Sequence, residues 1–287
     1  MEKYKEPFSP ESCIILEKNR IFIDICSSGC GSGCVYCYVS SKDEPQSLLS
    51  KDQIEQLCVY VKTHIDYRKK IISLCPNTEP LKTNECIFRI LYIINFFLPL
   101  GCYVQISTKE FVPEYFLSEL HKIGSQGIYL NISIPFLSNN EKIEPGTAPV
   151  VERLTLFKQA DVYPLLNLCL YIKPFIKKTK IEQMEYVKLI NKYKIKSVCV
   201  GVAFPKDSKK IPCISLYHKT TAADLFVEQS AQINEFVTLL RNNTNANIFG
   251  SSVCCIYNDH YGTCDLQLFE HDMSLCSDCA VWGGKKP

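Results

Sequence analysis

Cys30-Gly31-Ser32-Gly33-Cys34-Val35-Tyr36-Cys37 is the stretch on which the reading of this chain turns. Its three cysteines stand at x3 and x2 spacing, and two glycines loosen the backbone enough to bring three thiolates to one face of a small loop. Thiolates are the ligands of iron–sulfur clusters, and three of them leave one iron of a [4Fe–4S] cube open to a chelating small molecule. Zinc also takes closely spaced cysteines, usually with a second paired knuckle or with histidine, and no histidine lies within twenty residues of this loop. Cys26 lies four residues before Cys30, but Gly33 occupies the place a shifted motif would need for cysteine, so the frame is fixed.

Outward from that loop, 287 residues with 46% hydrophobic content suffice for one large α/β domain and a small appendage. A formal charge of +2 falls short of the basic footprint of a dedicated nucleic-acid binder. Seventeen cysteines could suggest a disulfide scaffold, but such scaffolds are usually small and secreted, and Cys58, Cys102, Cys169 and Cys199 sit inside apolar runs as buried thiols do. Residues 1–12 are polar and contain acids, so no signal peptide is expected. The most apolar run, 87–100, is interrupted by Arg89, Asn95 and Pro99 and is too short to span a bilayer. These features place the chain in a reducing, cytoplasmic setting, away from membranes.

Along the chain, apolar runs alternate with segments of helical period. Strands are expected at 21–25, 71–74, 103–107, 128–134, 163–170 and 197–202, and helices at 51–64, 84–97 (with Asn84 as its cap), 113–123, 150–160 and 181–193. A lysine-rich excursion follows at 204–222, then a helix over 223–241, a strand-like 247–253 and a cysteine-rich end. Six strand–helix units argue for a parallel sheet, and a closed barrel needs eight. The expected fold is therefore α/β, a partial (β/α)6 TIM-type barrel with a small cysteine-rich C-terminal extension. Its parts are 1–203 as the barrel, 204–245 as excursion and helix, and 246–287 as a metal-binding extension.

The CxxxCxxC spacing with Tyr36 before the last cysteine resembles the radical S-adenosylmethionine (SAM) enzymes. Over roughly 26–172 the chain is most similar to the spore photoproduct lyase and DNA-repair-photolyase-like branch. Tyr36-Cys37-Tyr38, Ser107-Thr108-Lys109, Ser133, Glu144-Pro145-Gly146-Thr147 and Arg153 carry that similarity. The resemblance implies that Cys30, Cys34 and Cys37 hold a [4Fe–4S] cluster and that Tyr36 packs at the adenine of SAM. It further implies that Thr78, Glu79, Ser107, Lys109, Ser133 and Arg153 hold SAM, Glu79 at its ammonium and Lys109 at its carboxylate. Read without the resemblance, Glu79 is a loop carboxylate, Lys109 a strand-end lysine and Ser133 a strand residue. Glu144 and Arg153 equally suit an ion pair that fixes their loop.

The implied activity is reductive cleavage of SAM to a 5′-deoxyadenosyl radical that abstracts substrate hydrogen, with flavodoxin or ferredoxin as electron donor. A photolyase-like enzyme acting on nucleic acid or nucleotide is the first expectation. A peptide- or metabolite-modifying enzyme with a second cluster is the alternative, and a non-catalytic iron–sulfur or zinc module the third. Two departures bear on the choice. Where the lyase carries a cysteine hydrogen donor this chain has Pro76, with Cys75 one residue away. Cys255 (or Cys254), Cys264, Cys276 and Cys279 could ligate a second [4Fe–4S] cluster, or zinc with His260 and His271 as substitutes.

Overall fold

Runs rich in isoleucine, valine and leucine form the strands of one main sheet, as expected where both faces of a strand are covered. The computed structural model describes residues 8–16, 20–37, 39, 43–68, 70–138, 141–175, 178–201, 217–219, 225–227, 231–250 and 252–261. In chain order the strands are β1 (Ile14–Leu16), β2 (Arg20–Ile23), β3 (Cys26–Ser28), β4 (Ser47–Leu48), β5 (Ile71–Leu74), β6 (Tyr103–Thr108), β7 (Ile128–Ser133), β8 (Asn167–Ile172), β9 (Ser197–Val200), β10 (Tyr217–Lys219), β11 (Leu225–Val227) and β12 (Asn247–Phe249). The helices are α1 (Lys51–His64), α2 (Asn84–Phe97), α3 (Glu114–Ile123), α4 (Val150–Arg153), α5 (Thr155–Lys158), α6 (Lys180–Lys192), α7 (Ala231–Asn243) and α8 (Ser252–Tyr261).

The main sheet has eight strands in the order β1-β2-β5-β6-β7-β8-β9-β12, and every pairing except β1 with β2 is parallel. Neighbours in the sheet keep their chain order, so successive right-handed crossovers lay their helices on one face. That face is apolar: Ile72, Val104, Ile106, Leu130, Ile132, Leu170 and Val198 pack there with α1, α2, α3 and α6. The expected count of six parallel strands falls short, because β12 pairs with β9 and extends the sheet. The chain is thus α/β with a mostly parallel sheet that has free ends at β1 and β12 among the described residues.

Local chemistry sets the element ends. Ser50 with Gln53, and Thr179 with Glu182, form capping boxes on α1 and α6. Thr83 rather than Asn84 caps α2, because Thr83 is extended and its side chain accepts from Cys86 N. The expected helix 150–160 breaks at Leu154 into α4 and α5, where Phe157 N reaches only back to Leu154 O. Pro164 keeps 163–166 out of β8: it lacks an N–H for the ladder, and Leu166 N turns back to Tyr163 O instead. The expected strand 247–253 ends at Phe249 and gives way to α8.

α7 is tied to the main core through Ile233, Phe236, Val237 and Leu240. Phe236 lies 5.5 Å from Phe175 and 5.7 Å from Tyr186, ring to ring. Phe236→Ala is expected to cost about 3–5 kcal/mol, read as a lower midpoint of one cooperative unfolding transition in urea. A second transition that moves while the main one stays fixed would instead show that α7 folds apart from the sheet.

Candidate functional site

The cysteine loop joins β3 to β4, a separate antiparallel pair that follows the carboxyl end of β2. Gly29, Gly31 and Gly33 all have positive φ (77°, 70° and 60°). A Cβ on Gly29 would sit 2.0 Å from Pro45 O, so no other residue fits there. Cys37 N donates to Cys34 O at 3.0 Å, closing a turn between those two ligand candidates. Burial pushes the Cys34 thiol up to about 11; Lys109 opposes that shift, while Glu144, Cys37 and Cys30 reinforce it. Cys30 and Cys37 therefore both lie within electrostatic reach of Cys34. Among the described residues no three His, Cys, Asp or Glu side chains converge as ligands of one metal ion must. A cluster asks something different, since each cysteine takes a separate iron. The donor set on this glycine loop fits that requirement.

A second loop clamps the first. Val35 N donates to Ile143 O at 2.9 Å, and Gly146 N donates to Ser32 O at 3.0 Å. A Cβ on Gly146 would meet Gly31 O at 2.6 Å, so the two backbones touch because position 146 is glycine. Glu144 is buried beneath, accepting from the Tyr36 hydroxyl and pairing with Arg153 at 3.0 Å. The remaining reach of Arg153 goes to Ser133 O (2.9 Å), Ala148 O (2.7 Å) and the Thr147 hydroxyl (2.5 Å). Of the two roles open to Glu144 and Arg153 in the sequence, the structure has them paired and holding the loop. Lys82, which the sequence does not single out, donates to Gly146 O and pairs with Glu110 at 2.8 Å.

Glu79 and Lys109 lie at the ends of the next two strands. Glu79 is buried; its carboxylate accepts from Thr108 Oγ1, from Lys109 N at 2.9 Å and from Leu81 N at 3.3 Å. Lys109 Nζ stands 5.6 Å over the Tyr36 ring. Burial works to lower its pKa, but Cys34, Glu144 and Glu79 hold the ammonium above its ordinary value. Thr78 donates to Asp24 Oδ1 at 3.1 Å and Asn77 to Asp24 Oδ2 at 2.9 Å. Asp24 was the legible signal here, an acid inside the apolar run 21–25. Ser107 and Ser133 face the side of the sheet away from the main helices; Ser107 accepts from Asn131 (3.0 Å) and Ser133 donates to Lys173 O (3.4 Å).

The structure thus gathers Cys30, Cys34, Cys37, Tyr36, Lys109, Glu79, Glu144 and Arg153 at one end of the sheet. Cys255 is not among them: it lies on α8, buried with Cys169, Cys199 and Cys254, its thiol donating to Ser252 O at 2.8 Å. Cys264, Cys276, Cys279, His271 and Tyr38 lie outside the described residues, and His260 lies on α8. Cys75 is buried at φ 56°, and burial raises its thiol well above the ordinary value. Lys178 is buried too, donating to Pro135 O at 2.7 Å among the rings of Tyr186, Phe136 and Phe175.

No family model matches this chain. A probable dual-specificity RNA methyltransferase RlmN of Alkaliphilus metalliredigens is 25% identical over 133 residues, covering 45% of this chain and 36% of that protein. Among solved structures, SuiB of Streptococcus suis bound to S-adenosylmethionine superposes with a TM-score of 0.50 at 15% identity, covering 91% of this chain and 56% of SuiB. SuiB bound to the precursor peptide SuiA gives 0.54 at 17% identity, covering 86% and 52%. The anSMEcpe protein with bound AdoMet gives 0.54 at 13%, covering 85% and 67%. The chain therefore spans about a third of the curated relative and roughly half to two thirds of the solved ones. At these identities the structures share a fold with this chain. The matches support the radical SAM resemblance and lend nothing to its spore photoproduct lyase branch.

Glu144→Gln leaves the Arg153 charge buried without its partner, and a loss of about 3–5 kcal/mol is expected in denaturant unfolding. Gly146→Ala should leave the far-ultraviolet circular dichroism unchanged while anaerobically reconstituted protein retains well under the wild-type iron, about four per chain for one cluster. Burial holds the carboxyls of Asp24 and Glu79 above their ordinary values. Their stabilising effect is complete below the unfolded carboxylate range near ~4 and is lost as pH rises through the folded values. Asp24→Asn should flatten that fall in a midpoint-against-pH series.

Proposed function

We propose that this chain is a radical SAM enzyme that modifies a peptide. The observation that carries the first half is the pairing of a three-cysteine glycine loop with two opposite charges, Glu79 and Lys109, at the same sheet end. An amino-acid headgroup needs both: a carboxylate for its ammonium and a cation for its carboxylate. Cys30, Cys34 and Cys37 would hold a [4Fe–4S] cluster, and Glu79, Lys109, Thr78 and Ser133 would line the SAM site, with Ser107, held by Asn131, at its margin toward the substrate. Tyr36 lies under Lys109 and bonds to Glu144, and Arg153 acts through Glu144 to position the cysteine loop. When bound, the cluster and SAM supply one-electron reductive cleavage and hydrogen abstraction, with the hard chemistry on the cofactor side. The chain's own part is to orient SAM between Glu79 and Lys109 and to keep the loop rigid. In this reading the open sheet is a partial barrel, and flavodoxin or ferredoxin is the donor.

The peptide half rests on the sheet face opposite the main helices. Among its described strand residues only Arg20 is charged, and Arg20 stands at the far, amino-terminal edge over the Phe22 ring at 4.8 Å; Lys173, just past β8, lies 5.9 Å over the Tyr171 ring. A nucleotide would bring phosphate, which proteins meet with lysine and arginine. A neutral face of serine, glutamine, asparagine and tyrosine suits a peptide. The likeness to SuiB with its precursor peptide agrees with this reading. A second metal site on Cys264, Cys276, Cys279 and an α8 thiol remains part of the proposal, as cluster or as zinc.

Reconstituted protein with dithionite and SAM should form 5′-deoxyadenosine, and Cys30/Cys34/Cys37→Ala should form none. Turnover by that triple variant at the wild-type rate would overturn the assignment. Iron retention without any 5′-deoxyadenosine would favour a non-catalytic module. Lys109→Met or Glu79→Gln should weaken SAM binding roughly 10- to 150-fold, the equivalent of about 1.5–3 kcal/mol for a charged hydrogen-bond partner. Metal analysis of the triple variant separates a second iron cluster from zinc.

A further inference from the structure

We infer that Asn131, with Ser107 beside it, forms a subsite that recognises a carboxamide on the substrate. The inference builds on the peptide reading above and names the chemical group bound. Asn131 sits in the middle of β7, fully buried, on the face away from the main helices. It lies directly across from Ser107 of β6 in the parallel register. Its Nδ2 donates to Ser107 Oγ at 3.0 Å, and its Oδ1 has no partner. A buried amide oxygen without a donor is destabilising, and a parallel strand ordinarily fills such a position with valine or isoleucine.

The surroundings give the orphan atom a direction. On one side the polar groups are already spent on each other: Ser73 donates to Gln105 Oε1 at 3.2 Å, and Gln105 Nε2 donates to Ser252 O at 2.8 Å, tying down the start of α8. On the other side lies Ser107, half-buried and one residue from the end of its strand. Lys109 follows two residues on, about 7 Å along an extended chain. Ser107 thus stands between Asn131 and the end of the sheet where Glu79 and Lys109 lie.

The pair also fixes the chemistry of what binds. Ser107 accepts from Asn131, so its own hydroxyl hydrogen is available to donate. An acceptor at Asn131 Oδ1 and a donor at Ser107 Oγ, side by side, match the N–H and C=O of one amide. With the Asn131 amide turned over, Ser107 donates to it and the open edge becomes an N–H₂; a ligand carboxamide carries both partners and matches that arrangement as well. A phosphate or carboxylate has only acceptors and offers no N–H to Asn131 Oδ1. A hydrocarbon leaves the orphan unpaired.

The test uses anaerobically reconstituted full chain and two probes, propionamide and butan-2-one, which differ by an N–H₂ in place of a methyl group. Ligand-observed saturation-transfer NMR should show saturable propionamide binding and at least tenfold weaker binding of the ketone. Asn131→Leu, close in volume and without the orphan oxygen, should lose the preference while its unfolding midpoint stays level or rises. Equal binding of both probes, binding of neither, or an undiminished preference in Asn131→Leu overturns the subsite and leaves a buried water as the partner of Oδ1. Loss of the preference with the unfolding midpoint level or raised supports the subsite. Absence of 5′-deoxyadenosine with the amide preference intact overturns the enzymatic reading and leaves the subsite standing.

Discussion

The Glu144–Arg153 pair, sealed under the Tyr36 hydroxyl, is the contact on which the arrangement of the site depends. Two buried ions cost several kcal/mol each to desolvate, and their attraction repays this only when the rest of each group is also bonded. Here it is: Arg153 spends its other N–H groups on Ser133 O, Ala148 O and Thr147, so the charge is satisfied from four directions. Those partners come from the end of β7 and from the loop that follows it. The pair therefore fixes where that loop lies, and the loop in turn presses Gly146 against the backbone of Gly31 and Ser32. The position of the cysteine turn follows from a charge pair that touches none of the cysteines through a bond.

The sheet separates structural and functional demands by face. Side chains at alternate positions, such as Val104, Ile106, Leu130 and Ile132, meet the helices and hold the fold through apolar burial. Their neighbours one residue along, Gln105, Ser107, Asn131 and Ser133, point the other way. That face is part apolar, with Tyr129, Cys169, Cys199 and α8, and part polar toward the ends of β6 and β7. The polar part begins where Glu79, Lys109 and the cysteine loop stand. A change of substrate on such a scaffold would need new side chains on one face only, leaving the helix-packed face intact.

What the sequence discloses depends on whether the deciding interaction is local. The ends of α1 and β5 are legible because a capping box and a four-residue apolar run are contained within their own segments. The three-cysteine loop is legible for the same reason. Arg153 illustrates the opposite case: its charge reads equally as a ligand contact or a loop clamp, and the clamp becomes visible only through the distant Ser133 carbonyl and the Glu144 carboxylate that Tyr36 covers. Pro164 carries a readable warning against a strand, yet the apolar residues around it outweigh that warning in a periodicity argument. α8 is the hardest element, since Ser252-Val253-Cys254-Cys255-Ile256-Tyr257 suits a buried strand or a buried helix equally, and its place on the sheet settles which. Asp24 and Asn131 are polar residues inside apolar runs, a signal that marks a position without saying what it meets.

Lys109 links the two halves of the proposed site electrostatically. Burial disfavours both the Cys34 thiolate and the Lys109 ammonium, and each is the other's principal opposite charge. A thiolate ligand must lose its proton to bind metal, so a positive group nearby favours loading. The same ammonium faces Glu79 and Glu144, and it is the cation proposed for the SAM carboxylate. Metal loading and carboxylate binding thus draw on one charge. Loading the loop adds positive metal and negative sulfur together, so the field that Lys109 feels changes with the state of the cysteines. By linkage, an anion bound at Lys109 and a metal bound at Cys34 must each alter the affinity of the other. The cysteine loop and the proposed SAM site are in that sense one electrostatic unit, assembled from the ends of strands whose outer faces only hold the fold.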